Sequence, residues 1–199
     1  MIYSINYKVA LGVLTLAIAF VSYVPYFRDI IAGRTKPQTF SWFVWTVLTG
    51  IAFGVQVAEH AGPGAWATGI TTLLCLVVFV FGLVKGNVRF PLVDWLCLGL
   101  ALVGLVLWQV ADNPIAAVIL ITLTDAFAFI PTFRKGYVKP YEDTPSTFWL
   151  SGLKFFISLF ALESVTLSTW LYPASLVLTN WVFVTMVYMR RKQIVQKTG

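Results

Sequence analysis

Residues 24–42 read VPYFRDIIAGRTKPQTFSW, and residues 130–149 read IPTFRKGYVKPYEDTPSTFW. Pro25-Tyr26-Phe27-Arg28 in the first stretch matches Pro131-Thr132-Phe133-Arg134 in the second. One loop later Pro37-Gln38-Thr39-Phe40 matches Pro145-Ser146-Thr147-Phe148, with a register shift of two residues. Proline ends a helix where it lacks a donor and is tolerated in the first helical turn. Each copy therefore reads as a corner that closes one helix and opens the next.

The solvent around these corners follows from composition. The chain has 199 residues, 59% hydrophobic and 11% charged, and a mean hydropathy of +0.84. So few charges cannot cover a water-facing surface, and the chain reads as an all-α integral membrane protein. Apolar runs fall at 9–26, 40–58, 65–84, 92–110, 114–132, 147–162 and 168–189, each close to the ~20 residues that cross a hydrocarbon core. Seven transmembrane helices are expected; the run at 114–132 is interrupted by Asp125, and the short run at 147–162 carries Lys154.

Lys and Arg set the expected orientation. Arg28, Arg34 and Lys36 lie in the first loop, Lys85 and Arg89 in the third, and Arg134, Lys135 and Lys139 in the fifth. Arg190, Arg191, Lys192 and Lys197 lie in the tail, whereas the second, fourth and sixth loops contain no Lys or Arg. Twelve of the fourteen basic residues thus share one face; Lys8 and Lys154 are the exceptions. An odd number of crossings, with the N-terminus outside and the C-terminus cytoplasmic, gives this pattern, and a bacterial cytoplasmic membrane is the expected location.

The same pattern accounts for the net charge of +6, so no nucleic-acid partner is implied. MIYSINYK has neither a basic n-region nor a small-residue cleavage site, and the first helix reads as retained. Cys75 and Cys97 fall inside apolar helices and indicate neither a disulfide nor a metal site. The single histidine, His60, sits in an outer loop, and no hydrolase, zinc-protease or phosphate-binding motif occurs. Neither an enzyme nor a cofactor is expected.

Two further helices follow each corner: 40–58 with 65–84, and 147–162 with 168–189. The expected organisation is a first three-helix bundle at 1–86, a linker helix within 87–112 and a second three-helix bundle at 113–199. The linker crossing keeps the two copies parallel, one of the transporter plans built from repeats.

This 3+1+3 arrangement, the outside N-terminus and the prolines at Pro25 and Pro131 resemble the SWEET and PQ-loop superfamily of small-solute transporters. Tyr26 and Thr132 stand where that family has Gln, and the literal Pro-Gln pair, Pro37-Gln38, falls one loop later. The resemblance implies alternating access, with Pro25, Pro37, Pro131 and Pro145 as hinge candidates. It also implies an Asn on the third helix of each triplet; Asn180 fits, while its counterpart by alignment of Trp66 with Trp170 is Leu76. Relatives of this plan carry sugars, vitamin nucleosides or amino acids.

The residues themselves supply candidates for a solute path. Thr147, Ser151, Lys154 and Ser158 share one helical face. Trp42, Trp45, Thr49 and Gln56 form a similar stripe, as do Thr68, Thr72 and Cys75, and Thr15, Ser22 and Tyr26. Such stripes line cavities or simply join helices. Asp125 and Lys154 are sharper, because a lone charge at the centre of a spanning helix costs about 2.5–3.5 kcal/mol. They lie roughly 9 Å and 13 Å of helix rise from Pro131 and Pro145, at ~1.5 Å per residue. A structural ion pair, a substrate or proton site, and a snorkelling lysine remain open for them.

The expected function is transport of a small polar solute, with Asp125, Lys154, Asn180, Ser151, Trp42, Trp45 and Thr72 as binding or coupling candidates. Its partners are the solute and the lipid bilayer, and a homo-oligomer is permitted. A membrane scaffold that moves nothing is the alternative, and a retinal-type photoreceptor a more distant one.

Overall fold

A computed structural model describes residues 6–35, 37–85, 92–110 and 112–198, without the side chains of 93, 94, 97, 104, 105 and 195–198. Lys36, Arg89 and the side chains of Cys97 and Lys197 therefore lie outside the described residues. The described residues form seven α-helices: α1 (Tyr7–Ile31), α2 (Thr39–Ala58), α3 (Trp66–Lys85), α4 (Leu92–Gln109), α5 (Pro114–Val138), α6 (Pro145–Phe160) and α7 (Leu167–Thr198). A short 3-10 turn at Gly62–Ala65 leads into α3, and there is no strand among the described residues.

Among the described residues five spans are long and apolar enough to cross a membrane: Tyr7–Ile31, Thr39–Ala58, Gly62–Lys85, Pro114–Val138 and Leu167–Ile194. They make the chain compatible with an integral membrane protein. With 16 residues, α6 extends only about 24 Å at ~1.5 Å per residue, short of the ~30 Å hydrocarbon core.

Local chemistry sets the helix ends. The Asn6 side chain caps α1 by accepting from the Lys8 amide at 3.0 Å. Asn113 caps α5 through the Ala116 amide at 3.0 Å, with Pro114 at the first helical position. Pro145 likewise opens α6, and Pro37 stands two residues before Thr39 at the start of α2. Pro25 and Pro131 do not close their helices, in contrast to the sequence expectation: α1 continues to Ile31 and α5 to Val138. Each proline removes only one hydrogen bond, while the turns beyond it bury Tyr26 and Ile30 in α1 and Thr132 and Gly136 in α5. Packing outweighs the local break.

Within the chain α3 packs on both α2 and α1, and α7 packs on both α6 and α5. Contact between these groups runs from α1 to α6, from α2 to α5, from α2 to α7 and from α3 to α6. α4 lies against α5 and α2, where Trp95 stacks on Phe40 at 5.0 Å between ring centres. Gly152 brings α6 and α7 together, because a Cβ there would run into the indole of Trp181. The core is rich in rings: Phe129, Phe148 and Phe183 meet one another, and Trp45 meets Phe129 at 5.1 Å across the α2–α5 seam.

Candidate functional site

The polar stripes point inward. Thr147, Ser151, Lys154 and Ser158 of α6 are all buried, as are Trp42, Trp45, Thr49 and Gln56 of α2. So are Thr15, Ser22 and Tyr26 of α1, and Thr68 and Cys75 of α3. Where these faces converge lies a cavity of about 50 Å³. Tyr23 of α1, Trp42, Trp45 and Thr49 of α2, and Thr71 and Cys75 of α3 form one side. Asp125 and Phe129 of α5, Thr147, Phe148, Ser151 and Phe155 of α6, and Tyr172, Leu176 and Asn180 of α7 form the other. No residue of α4 is among these lining residues.

Five of the seven binding candidates stand in this wall: Trp42, Trp45, Asp125, Ser151 and Asn180. Lys154 sits immediately behind it, 0% exposed, its ammonium donating to the Thr71 hydroxyl at 2.6 Å and lying 4.4 Å from the centre of the Phe155 ring. Thr72 is set apart; its hydroxyl donates to Thr49 and to the Thr68 carbonyl, both at 3.1 Å. Asn180 donates back to the Leu176 carbonyl at 2.7 Å. Its aligned counterpart Leu76 is 43% exposed, whereas neighbouring Cys75 faces the cavity.

Asp125 is 1% exposed. One of its carboxylate oxygens accepts from the Tyr172 hydroxyl at 3.3 Å, and the other has no partner. Asp125 and Lys154 form no ion pair with each other or with any described residue. Trp45 Nε1 and the Thr147 hydroxyl are likewise buried in the wall without a hydrogen bond. Buried polar groups are nearly always paired, and three in the wall of this one cavity are not.

Sequence reasoning missed Tyr23, Thr71, Phe129, Phe148, Phe155 and Tyr172. Helical spacing could have found several: Phe148 and Phe155 flank Ser151 at i−3 and i+4, and Tyr172 lies eight residues before Asn180.

Contacts tie the first and second halves of the chain together at both ends of the helices. At the basic end Arg34 pairs with Asp29 at 2.6 Å, Thr144 donates to the other Asp29 oxygen at 2.8 Å, and the Thr35 and Thr144 hydroxyls meet at 3.1 Å. Thr144 immediately precedes α6 yet makes no side-chain cap; its hydroxyl bridges the halves instead. Beside it Lys135 pairs with Asp143 at 2.8 Å, and Arg191 donates to the Pro140 carbonyl. Burial pushes the Asp143 carboxyl above the usual carboxylate range, with the Lys135 charge opposing that shift. A small space beside Tyr26, Thr132, Lys135 and Asp143 shares Trp42, Trp45 and Phe148 with the central cavity, so these three rings separate the two.

At the opposite end the Lys8 ammonium donates to the Leu162 carbonyl at 2.8 Å and the Glu163 amide to the Ala61 carbonyl at 3.0 Å. Gln56 donates to the Thr169 carbonyl at 2.9 Å and Ser168 to the Glu59 carboxylate at 3.2 Å.

No protein-family model, no curated protein and no solved structure matches this chain.

Proposed function

We propose that the protein moves a small polar solute across a membrane by alternating access between two parallel three-helix units, α1–α3 and α5–α7, joined by α4, on a SWEET-like plan. The observation that carries this reading is a cavity between the halves whose largely aromatic wall includes Asp125, Ser151 and Asn180, with hydrogen bonds from one half to the other at each end. The pattern of helix contacts supports the repeat. Exchanging α1 with α5, α2 with α6 and α3 with α7 turns the α2–α3 contact into α6–α7, α1–α3 into α5–α7, α1–α6 into α2–α5, and α2–α7 into α3–α6. All of these pairs occur. Opening one end at a time would require breaking either the Asp29–Arg34–Thr144 cluster or the Lys8, Gln56 and Ala61 contacts while the other set holds. Trp42, Trp45 and Phe148 would have to part when the basic end opens.

Locking the basic end tests the reading. With Cys75 and Cys97 replaced by Ser, a Thr35→Cys/Thr144→Cys pair is placed to form a disulfide between the halves. In proteoliposomes offered labelled glucose, uridine and L-alanine separately, the reduced protein is expected to take up at least one solute above empty vesicles. Oxidation should cut that uptake at least tenfold, and dithiothreitol should restore it. Uptake that persists unchanged in the fully cross-linked protein, or no uptake of any class, would sink the transport reading.

A further inference from the structure

We infer that the central cavity binds a small zwitterion, a molecule carrying one ammonium and one carboxylate, which meets Asp125 with the first and Lys154 with the second. The inference names a solute class for the transport reading and rests on it.

The two charged side chains carry the argument. Asp125 and Lys154 are 1% and 0% exposed, and neither has an ion-pair partner among the described residues. Burying an unpaired charge is costly enough that most proteins avoid it; here two of opposite sign flank one space. They share it closely: Asp125 lines the cavity, while Lys154 contacts it through Thr71 and Phe155, which also line it. Each also has capacity left. One Asp125 oxygen is unpartnered, and the ammonium, with three N–H donors, makes one hydrogen bond.

A ligand with a single net charge would satisfy one side and leave the other unpaired. A sugar, being neutral, would leave both side chains without a counter-charge. A zwitterion neutralises both charges, and its carboxylate can accept from Trp45 Nε1 as well. Size narrows the class. At ~10–15 Å³ for each water, 50 Å³ admits roughly three to five waters, or about 90–150 Å³ of liquid. That is the scale of glycine, alanine or glycine betaine and leaves no room for a disaccharide.

Calorimetry on the purified full-length protein with glycine, L-alanine and glycine betaine tests this, using L-alanine methyl ester and N-acetyl-L-alanine as controls lacking one charge each. At least one zwitterion should bind saturably. For L-alanine, or for whichever amino acid binds, removing either charge should weaken binding at least 30-fold, the low end for breaking a buried charge pair. Asp125→Asn should lose discrimination against the N-acetyl compound, and Lys154→Met against the methyl ester. A melting curve for each variant separates lost binding from lost folding. Binding by none of the three zwitterions, equal binding of the charge-blocked controls, or unchanged affinity in both folded variants would overturn the inference. Uptake of the same compounds is scored separately. Zwitterion binding without uptake leaves the site standing and removes the transport reading, whereas glucose uptake without zwitterion binding does the reverse.

Discussion

Among the described residues the fully buried Lys154 of α6 has one hydrogen bond, to Thr71, and no carboxylate partner. Two roles for it predict opposite responses to Lys154→Met, which keeps the length and loses the charge. Breaking a structural ion pair by removing one partner costs about 3–5 kcal/mol. Where the lysine waits for a ligand's carboxylate, its desolvation is a cost to the empty fold, and the apolar replacement is expected to be neutral or stabilising by up to about 4 kcal/mol. Thr71 is not orphaned by the change, since its hydroxyl also donates to the Ala67 carbonyl at 2.5 Å. Thermal unfolding in detergent without added solute reads the difference; a melting temperature well below that of the parent protein would show Lys154 to be structural. At this scale the sequence was legible wherever a polar residue interrupts an apolar run, which is how Asp125, Lys154 and Ser151 stand out; Asn180 was reached only through the family resemblance. Phe129, Phe148 and Tyr172 did not stand out, because an aromatic ring serves a lipid-facing belt, a packed core and a cavity wall equally well.

The helices carry the same lesson in a different form. Proline in the sequence suggested ends at Pro25 and Pro131, yet α1 and α5 run on for more than a turn. A proline's cost is local, while burial of the residues beyond it comes from partner helices invisible to a window of sequence. An interior proline also leaves the carbonyl four residues earlier, at Val21 or Phe127, without its usual partner. α1 and α5 are therefore each built with one weakened turn at matching places. Pro37 and Pro145 have no such consequence, since Pro37 precedes α2 and Pro145 is the first residue of α6. Pro25→Ala and Pro131→Ala should each restore a hydrogen bond and raise helix stability, by at most the ~3 kcal/mol that proline costs in a helix interior. Hydrogen exchange should slow around 21–25 or 127–131. If these turns bend during transport, each variant should also lower the uptake rate severalfold with little change in solute affinity. Slower exchange with an unchanged rate in the double variant would remove the hinge role. Pro37→Ala serves as the control and should leave the rate unchanged.

Across the whole molecule the distribution of charge and the lengths of the helices make a joint statement about topology. The corner at Arg28–Arg34 and the corner at Arg134–Lys139 lie together at one end, tied by Thr144 to Asp29, as the repeated motif implied. The opposite end, around Ala61 and Glu163, joins loops without Lys or Arg. Five of the seven helices meet the length for a membrane span on their own. The decisive element is α6, about 24 Å long at ~1.5 Å per residue, flanked by α1 and α7 and burying its polar face. To cross, a short helix enclosed by longer ones would need the help of its flanking segments and local thinning of the bilayer, at fractions of a kcal/mol per Å of mismatch. Alkaline phosphatase fused after residues 61, 112 or 164 is therefore expected to be active, and after 34, 141 or 199 inactive, with green fluorescent protein giving the reverse pattern. The fusions after residues 141 and 164 decide whether α6 crosses. Inactivity at 141 with phosphatase activity at 164 and a fluorescent C-terminal fusion requires both α6 and α7 to cross. Loss of activity at 164 alone would leave α6 on the basic side of the bilayer, which would separate Lys154 from Asp125 in depth and dissolve the two-charge site.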